Sequence, residues 1–246
     1  MQLRLLFAVL LIAATSWGQT PTGISQDSHY SQIYQNDRVQ VYSVVLAPQQ
    51  QSFVRYEHNF LLVSLQDSNL AVWTEGHSDI ASFPLSKGGA TFFFAGRAQG
   101  LRNPANTTYT GTQYRGVLVE FLDPNVTTYG YQLDGQWEYG YSSVAPPTNP
   151  QADPFNTLPL GAASVKDYQL PSGASFTAPG NSAGLLVAIT DVDFLPGDNS
   201  QVHKAPGEVV WIPAGSKSRI NAGSQPARFV FIEFSRGSGG SSSQKY

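Results

Sequence analysis

The chain of 246 residues has no cysteine, which excludes disulfides, a thiolate nucleophile, cysteine-based zinc or iron–sulfur sites and a lipobox anchor. Charge is scarce too, at 13% of residues, about half the usual share for a soluble domain. The 14 Lys and Arg against 17 Asp and Glu leave a net charge of -3 and no basic field for nucleic acid or anionic membrane. Nucleic-acid binding is therefore set aside. Histidine occurs four times, and there is no Gly-x-Ser-x-Gly elbow, phosphate-binding glycine loop or HExxH motif. Beyond the first residues no run is apolar enough to cross a membrane, and no stretch has a convincing helical period.

What the sequence does hold is apolar and rich in turns. Hydrophobic residues make up 41% and aromatics 12%, with 23 Gly and 16 Pro, a composition of short strands joined by turns. The first residues, MQLRLLFAVLLIAATSWGQ, place Arg4 before an apolar run over 5–14 and small residues at Ser16 and Gly18. That is the order of a cleavable secretory signal, and the run is shorter than the roughly 20 residues of a membrane-spanning helix. Export to the periplasm or beyond is expected, with cleavage near Gly18, a mature chain starting near Gln19 and no transmembrane segment left in it.

Two distant segments, YRGVLVEF at 114–121 and ARFVFIEF at 227–234, share Arg-x-Val-x-(Val/Ile)-Glu-Phe. Around them KGGATFFFAG at 87–96 lies over PGEVVWIPAG at 206–215, PQQQSF at 48–53 over PSGASF at 171–176, and LLVSLQD at 61–67 over LLVAITD at 185–191. Blocks recurring in one order make a duplicated domain. Period-two alternation, as in NDRVQVYSVVLAP, with turn residues about every ten positions, makes each block a strand of a sandwich or closed barrel. Asp67-Ser68-Asn69 and PGDN at 196–199 mark matching hairpins. APPTNPQADPFNTLP at 145–159 reads as a polyproline-like linker, and RGSGGSSSQKY as a tail too poor in apolar groups to pack. The expected division is a signal at 1–18, a first barrel with an added aromatic hairpin at 19–144, a linker at 145–157, a second barrel at 158–236 and a disordered tail at 237–246.

An opening NDRVQV, a Pro-led turn, a Leu/Val-rich strand, a Gly turn before an aromatic strand ending in FAG or PAG, a following Asn and a closing VxxEF strand together resemble the cupin superfamily. Over residues 36–122 and 158–235 the chain looks like a secreted bicupin, which implies an all-β fold of two tandem cupin-like, jelly-roll type barrels. In metal-binding cupins a His-x-His with a following Glu, and one more His after the PAG turn, converge in the barrel because residues i and i+2 of a strand share a face. Imidazoles and a carboxylate in that set suit iron, manganese, nickel or zinc. Carried onto this chain, the His-x-His positions fall on Arg55 and Glu57, the Glu near Phe60 or Leu61, and the last His on Gln99. In the second copy they fall on Pro179 and Asn181, on Gly184 or Leu185, and on Lys217. Neither copy keeps a ligand of the pattern, so no metal and no other cofactor is expected.

Arg55 and Glu57, at i and i+2, are expected side by side in the lumen, as an ion pair or as a grip on a polar ligand. His58 is one step out of phase and expected to point the other way. His29, His77 and His203 read as solvated loop residues, and Asp191, Asp193 and Asp198 fit a hairpin better than a calcium loop. In TTYGYQLDGQWEYGYSS at 127–143, Asp134-Gly135 marks a turn, and Trp137, Tyr139 and their period-two neighbours form an aromatic ridge. Such a ridge stacks on sugar rings, clamps the barrels together or covers a strand edge. Asn106 and Asn125 begin glycosylation sequons.

The resulting reading is an exported binding or structural module without catalytic residues. Its ligand would be a sugar or other small polar molecule, with candidate contacts at Arg55, Glu57, His58, Gln99, Trp137, Tyr139 and Lys217. A homodimer paired through residues 19–36 is a further expectation. The alternative is an enzyme: a metal-dependent dioxygenase or isomerase around Glu57, His58 and Gln99, or a metal-free lyase or isomerase using Arg55 and Glu57. Limited proteolysis is expected to cut first within 145–159 and in the C-terminal tail, because exposed polar linkers open most easily. A first cut inside either barrel, located by mass spectrometry, would break the domain division.

Overall fold

Strands such as VQVYSVVL and YRGVLVEF are apolar at odd and at even positions, so each must be covered on both faces. The computed structural model, which describes residues 20–76, 81–104, 112–128, 139–140, 154–197 and 200–235, covers them with two pairs of sheets. The first half runs β1 (Thr22–Gly23), β2 (Tyr30–Gln35), β3 (Val39–Leu46), β4 (Gln51–Arg55), β5 (Phe60–Ser64), β6 (Ser68–Thr74), β7 (Ala81–Leu85), β8 (Ala90–Phe93), β9 (Ala98–Arg102), β10 (Tyr114–Phe121) and β11 (Tyr139–Gly140). The second runs β12 (Asn156–Leu160), β13 (Ala163–Leu170), β14 (Ser175–Thr177), β15 (Ala183–Ala188), β16 (Val192–Leu195), β17 (Val202–Lys204), β18 (Val209–Ile212), β19 (Arg219–Asn221) and β20 (Ala227–Phe234). Among the described residues the only helical piece is the 3-10 turn Ile24–Gln26, and no helix is long and apolar enough to cross a membrane.

The first half pairs a sheet of order β11-β8-β5-β10-β3-β2 with one of order β1-β4-β9-β6-β7; the second pairs β12-β13-β20-β15-β18 with β14-β19-β16-β17. Without the short β1 and β11 the two orders are the same, so the sequence repeat is a structural repeat. Registers agree residue by residue: Glu120 opposes Phe60 and Gln40, and Glu233 opposes Gly184 and Ser164.

One face of each larger sheet fills its own barrel. In the first, Tyr42, Phe60, Leu62 and Leu118 meet Val54 and Leu101 from the smaller sheet. In the second, Tyr168, Leu186, Phe229 and Phe231 meet Phe176 and Ile220. The opposite faces pack the barrels together in a shared core that includes Val41, Val119 and Phe121 from one half and Val165, Ile232 and Phe234 from the other. Burying each such side chain contributes about 1.5–3 kcal/mol. The copies also exchange volume: where the first lumen has Phe60 and Leu118, the second has Gly184 and Phe231, and a Cβ on Gly184 would stand 2.1 Å from Phe231 Cζ.

Two expectations change. Asp67-Ser68-Asn69 carries the chain from β5 in one sheet to β6 in the other, so it is a crossing and not a hairpin; Asp67 Oδ1 instead accepts the Lys87 N–H at 2.8 Å. PQQQSF and PSGASF are also one residue out of step. Leu101 and Ile220 are equivalent, each at the same distance past its AG turn, and they oppose Ser52 and Phe176, which leaves Phe53 on the outside. β11 covers the edge of β8, with Tyr139 opposite Phe92, one of the roles expected of the aromatic hairpin. Trp137, the signal segment, residues 145–153 of the linker and the tail lie outside the described residues.

The shared core also seals an ion pair. Asp167 on β13, fully buried, receives Arg228 Nε at 3.0 Å and Nη2 at 2.7 Å, and the guanidinium rests on Gly88 of the first half. Burial pushes the Asp167 carboxyl up, and the Arg228 charge offsets that in part. Arg115, the equivalent residue on β10, is exposed. In denaturant melts Arg228→Ala is expected to cost about 3–5 kcal/mol, as removing one partner of a buried pair does, and Arg115→Ala about 0.5 kcal/mol or less. Equal losses would contradict the sealed pair.

Candidate functional site

The inward side chains of β4 are Ser52 and Val54, with Tyr56 next in phase, while Arg55 and Glu57 are exposed. The expected lumenal pair of Arg55 and Glu57 is therefore displaced by one residue. A strand alternates faces, and burying Val54 and Tyr56 costs far less than burying two charges. Arg55 bonds Glu75, just past β6, on the outer surface, Nη2 to Oε1 at 2.5 Å. Gln99 on β9 does face inward; it is buried, and its Oε1 accepts the Thr74 hydroxyl at 2.9 Å. In the second barrel Lys217 is exposed, and Ser218, level with Gln99 when counted from the AG turn, takes the buried inward position.

A chain of hydrogen bonds ties the first lumen to the N-terminal arm. His29 Nδ1 stands 2.6 Å from Asp27 Oδ1, Ser52 Oγ lies 2.8 Å from Asp27 Oδ2 and 3.0 Å from the Tyr30 hydroxyl, and the Tyr30 and Tyr56 hydroxyls are 2.9 Å apart. The carboxylate stands between histidine and serine, so the imidazole does not reach the hydroxyl and an acyl-transfer triad is not formed. Burial pushes the Tyr30 hydroxyl up to about 12 and the Tyr56 hydroxyl well above its ordinary value, so both remain neutral phenols. His29 is thus a half-buried partner and not a solvated loop residue. His203 lies on β17 and not in a loop, but it is exposed as expected, with ring nitrogens 3.3 Å from Asp191 and from Asp193. His77 lies outside the described residues.

Two glutamates were missed by counting from the family pattern, although the sequence writes them twice into otherwise apolar strands. Glu120, buried at the end of the first lumen, accepts the His58 N–H at 3.2 Å. The His58 ring also lies toward Glu120 at that end of the lumen, and not away from it as expected. Its Nδ1 is 3.5 Å from Glu120 Oε1, too far for a hydrogen bond, and is buried without a hydrogen-bond partner among the described residues. Burial pushes the Glu120 carboxyl up, against the pull of the His58 and Glu57 amides. Tyr42 beside it is raised by burial and then by the charges of Glu120 and Glu57.

Glu233 has different neighbours at the same place. Lys166 Nζ lies 2.5 Å from one oxygen and Ser182 Oγ 2.5 Å from the other, in the positions of Tyr42 and His58. Burial raises this carboxyl, but Lys166 and Ser182 outweigh it and hold Glu233 below the ordinary range.

Neither lumen fits the metal that the family pattern implies. No group of three His, Asp or Glu side chains that could hold a metal is present among the described residues. At the inward positions Val54 offers no donor, Tyr56 a neutral phenol and Gln99 a neutral amide, whereas a dication is held by imidazoles and carboxylates.

The repeated glutamates are expected to answer pH with opposite sign. Glu120, raised above its ordinary 4.5, contributes stability that is full below that value and lost as pH rises through the folded one. Glu233, lowered, contributes stability present above 4.5 and lost as pH falls through the folded value. In denaturant melts Glu120→Gln should cost more at about pH 4 than at about pH 7, and Glu233→Gln more at about pH 7 than at about pH 4. The same trend in both would contradict these surroundings.

No family model matches the sequence, and no curated protein matches it. Solved structures do match the fold. A salicylate 1,2-dioxygenase variant from Pseudoaminobacter salicylatoxidans, in complex with gentisate, gives a TM-score of 0.58 at 11% identity, covering 87% of this chain and 76% of that one. Procruciferin, an 11S globulin from Brassica napus, gives 0.54 at 13% identity over 80% and 76%. A cupin 2 conserved barrel domain protein from Leptotrichia buccalis gives 0.50 at 12% identity over 88% and 92%. At such identities the likeness is one of fold, and it agrees with the duplicated strand order: the chain folds as a bicupin, two cupin barrels in tandem.

Proposed function

We propose that this protein is an exported, non-catalytic bicupin, a binding or structural module for a sugar or other small polar ligand. The observation that carries this is the filling of the first lumen by its own side chains. Tyr56 packs on Phe60 with ring centroids 3.9 Å apart, Phe60 stacks on Phe93 at 4.8 Å, and Gln99 is closed onto Thr74. The second lumen is filled in the same way by Tyr168, Phe176 and Phe229. The fold serves a dioxygenase and a globulin alike, so the side chains carry the choice. The secretory order of the first residues supports export.

A catalytic reading, a dioxygenase or isomerase with an unorthodox site in the first barrel, has one observation in its favour: His58 Nδ1, buried beside Glu120 without a hydrogen-bond partner among the described residues. One measurement separates the two. A ligand held at a hundredfold excess over Kd adds about 2.7 kcal/mol, a shift of a few degrees in Tm for domains of this size. Iron(II), manganese, nickel, zinc and chelator are each expected to leave the Tm unchanged. An upward shift with one metal that disappears in His58→Ala or Glu120→Gln would overturn the non-catalytic reading and make the first barrel an enzyme candidate.

A further inference from the structure

The outer face of the first half's smaller sheet carries three side-chain positions in one rung: Phe53 on β4, Gly100 on β9 and Trp73 on β6. The indole of Trp73 occupies the space a Cβ at position 100 would need, with Cε2, Cδ2 and Cζ2 1.8, 2.2 and 2.2 Å from that point. The ring therefore lies down on the bare Cα of Gly100, half-buried, one face on the sheet and the other toward solvent. Phe53 leans in from the opposite strand, its plane within 21° of the indole and its centroid 6.1 Å away. Rings in full face contact stand about 3.5–4 Å apart, so these two are displaced sideways and tile the surface.

Polar groups flank the tile on both sides. One rung along lie Arg55 and Glu75, bonded to each other across Ala98. One rung the other way lie Gln51 and Arg102, both exposed, and Arg102 makes no ion pair among the described residues. The second barrel has none of this. Its equivalent rung is Thr177, Arg219 and Leu195, so three positions have changed together on a face the lumen does not use.

We propose that this face is a saccharide platform: it takes the apolar face of a pyranose ring of an acidic polysaccharide on Trp73 and Phe53. Ring hydroxyls meet the Arg55–Glu75 pair, and the sugar carboxylate meets Arg102. Aromatic faces match the C–H face of a pyranose, and a guanidinium matches a carboxylate in a bidentate pair. Arg55 and Glu75 neutralise each other, which leaves Arg102 as the charge on this face without an ion-pair partner among the described residues and favours an anionic partner. Residues two apart on a strand are about 6.6 Å apart, within reach of an arginine side chain extended toward the ring edge. The proposal rests on the binding-module reading and moves that module's site from the lumen to the outer sheet.

The test is affinity electrophoresis of the full chain in gels containing polygalacturonate or neutral hydroxyethylcellulose. Retardation is expected in polygalacturonate and to a smaller degree in the neutral gel. Trp73→Ala should weaken polygalacturonate binding about tenfold or more, as truncated aromatic anchors do. Because loss of the indole uncovers the sheet, Arg102→Gln serves as the variant that leaves packing untouched: it should reduce binding to polygalacturonate and leave the neutral gel unchanged. Trp137→Ala with Tyr139→Ala should leave both unchanged. Equal retardation in the two gels, indifference to Arg102→Gln, or loss only in the Trp137/Tyr139 pair overturns the platform. A parent that is not retarded while its Tm still ignores metals overturns it too, and leaves the non-catalytic reading standing.

Discussion

Burial on both faces of the central strands governs the rest of this molecule. In β3, β5 and β10, and again in β13, β15 and β20, one set of alternate side chains fills a lumen and the other fills the core between the barrels. A slip of one residue would exchange the two sets wholesale, so register is fixed from both sides. Among the described residues, the carboxylates of these strands stand near a strand end, as Glu120 and Glu233 do, or have a full partner, as Asp167 does in Arg228. The smaller sheets, wet on one face, are where side chains are released from packing, and there the two halves differ most.

The repeated glutamates show how little a residue's identity says without its neighbours. Both stand at the same register, yet one is pushed up by burial and the other held down by an ammonium and a hydroxyl. The change that separates them lies in the replacement of Tyr42 by Lys166 and of His58 by Ser182. Duplication kept the acid and let its surroundings drift.

Much of the fold was legible because repeat and alternation are properties of the sequence itself. Ordered blocks gave the two barrels, and apolar runs gave the strands. The phase of β4 was not legible. Phe53 is aromatic and reads as core, but it lies on the wet face, while the core position beside it is held by Ser52, whose hydroxyl is served by the arm. Pattern alone does not separate an aromatic that fills a lumen from one that lies on a sheet. Lys217 was misplaced by one position from its turn, and Ser218 is the inward residue. The contact of Trp73 with Gly100 needs the register of two strands distant in sequence, which composition does not contain. Glu120 and Glu233 stand in plain view in the repeated motif, but the family pattern places its ligands at histidine positions elsewhere.

The exchange of Phe60 and Leu118 for Gly184 and Phe231 has a consequence for the chain's history. Each pair fills its slot, but the pairs are split across strands far apart in sequence. If β5 were copied over β15, two large rings would meet in one space; the reverse copy would leave a hollow against Leu118. Local recombination between the repeats, which tends to make duplicated segments alike again, would damage whichever barrel received the foreign strand. The halves have become mutually exclusive, and from that exchange onward they are free to diverge but not to be made the same.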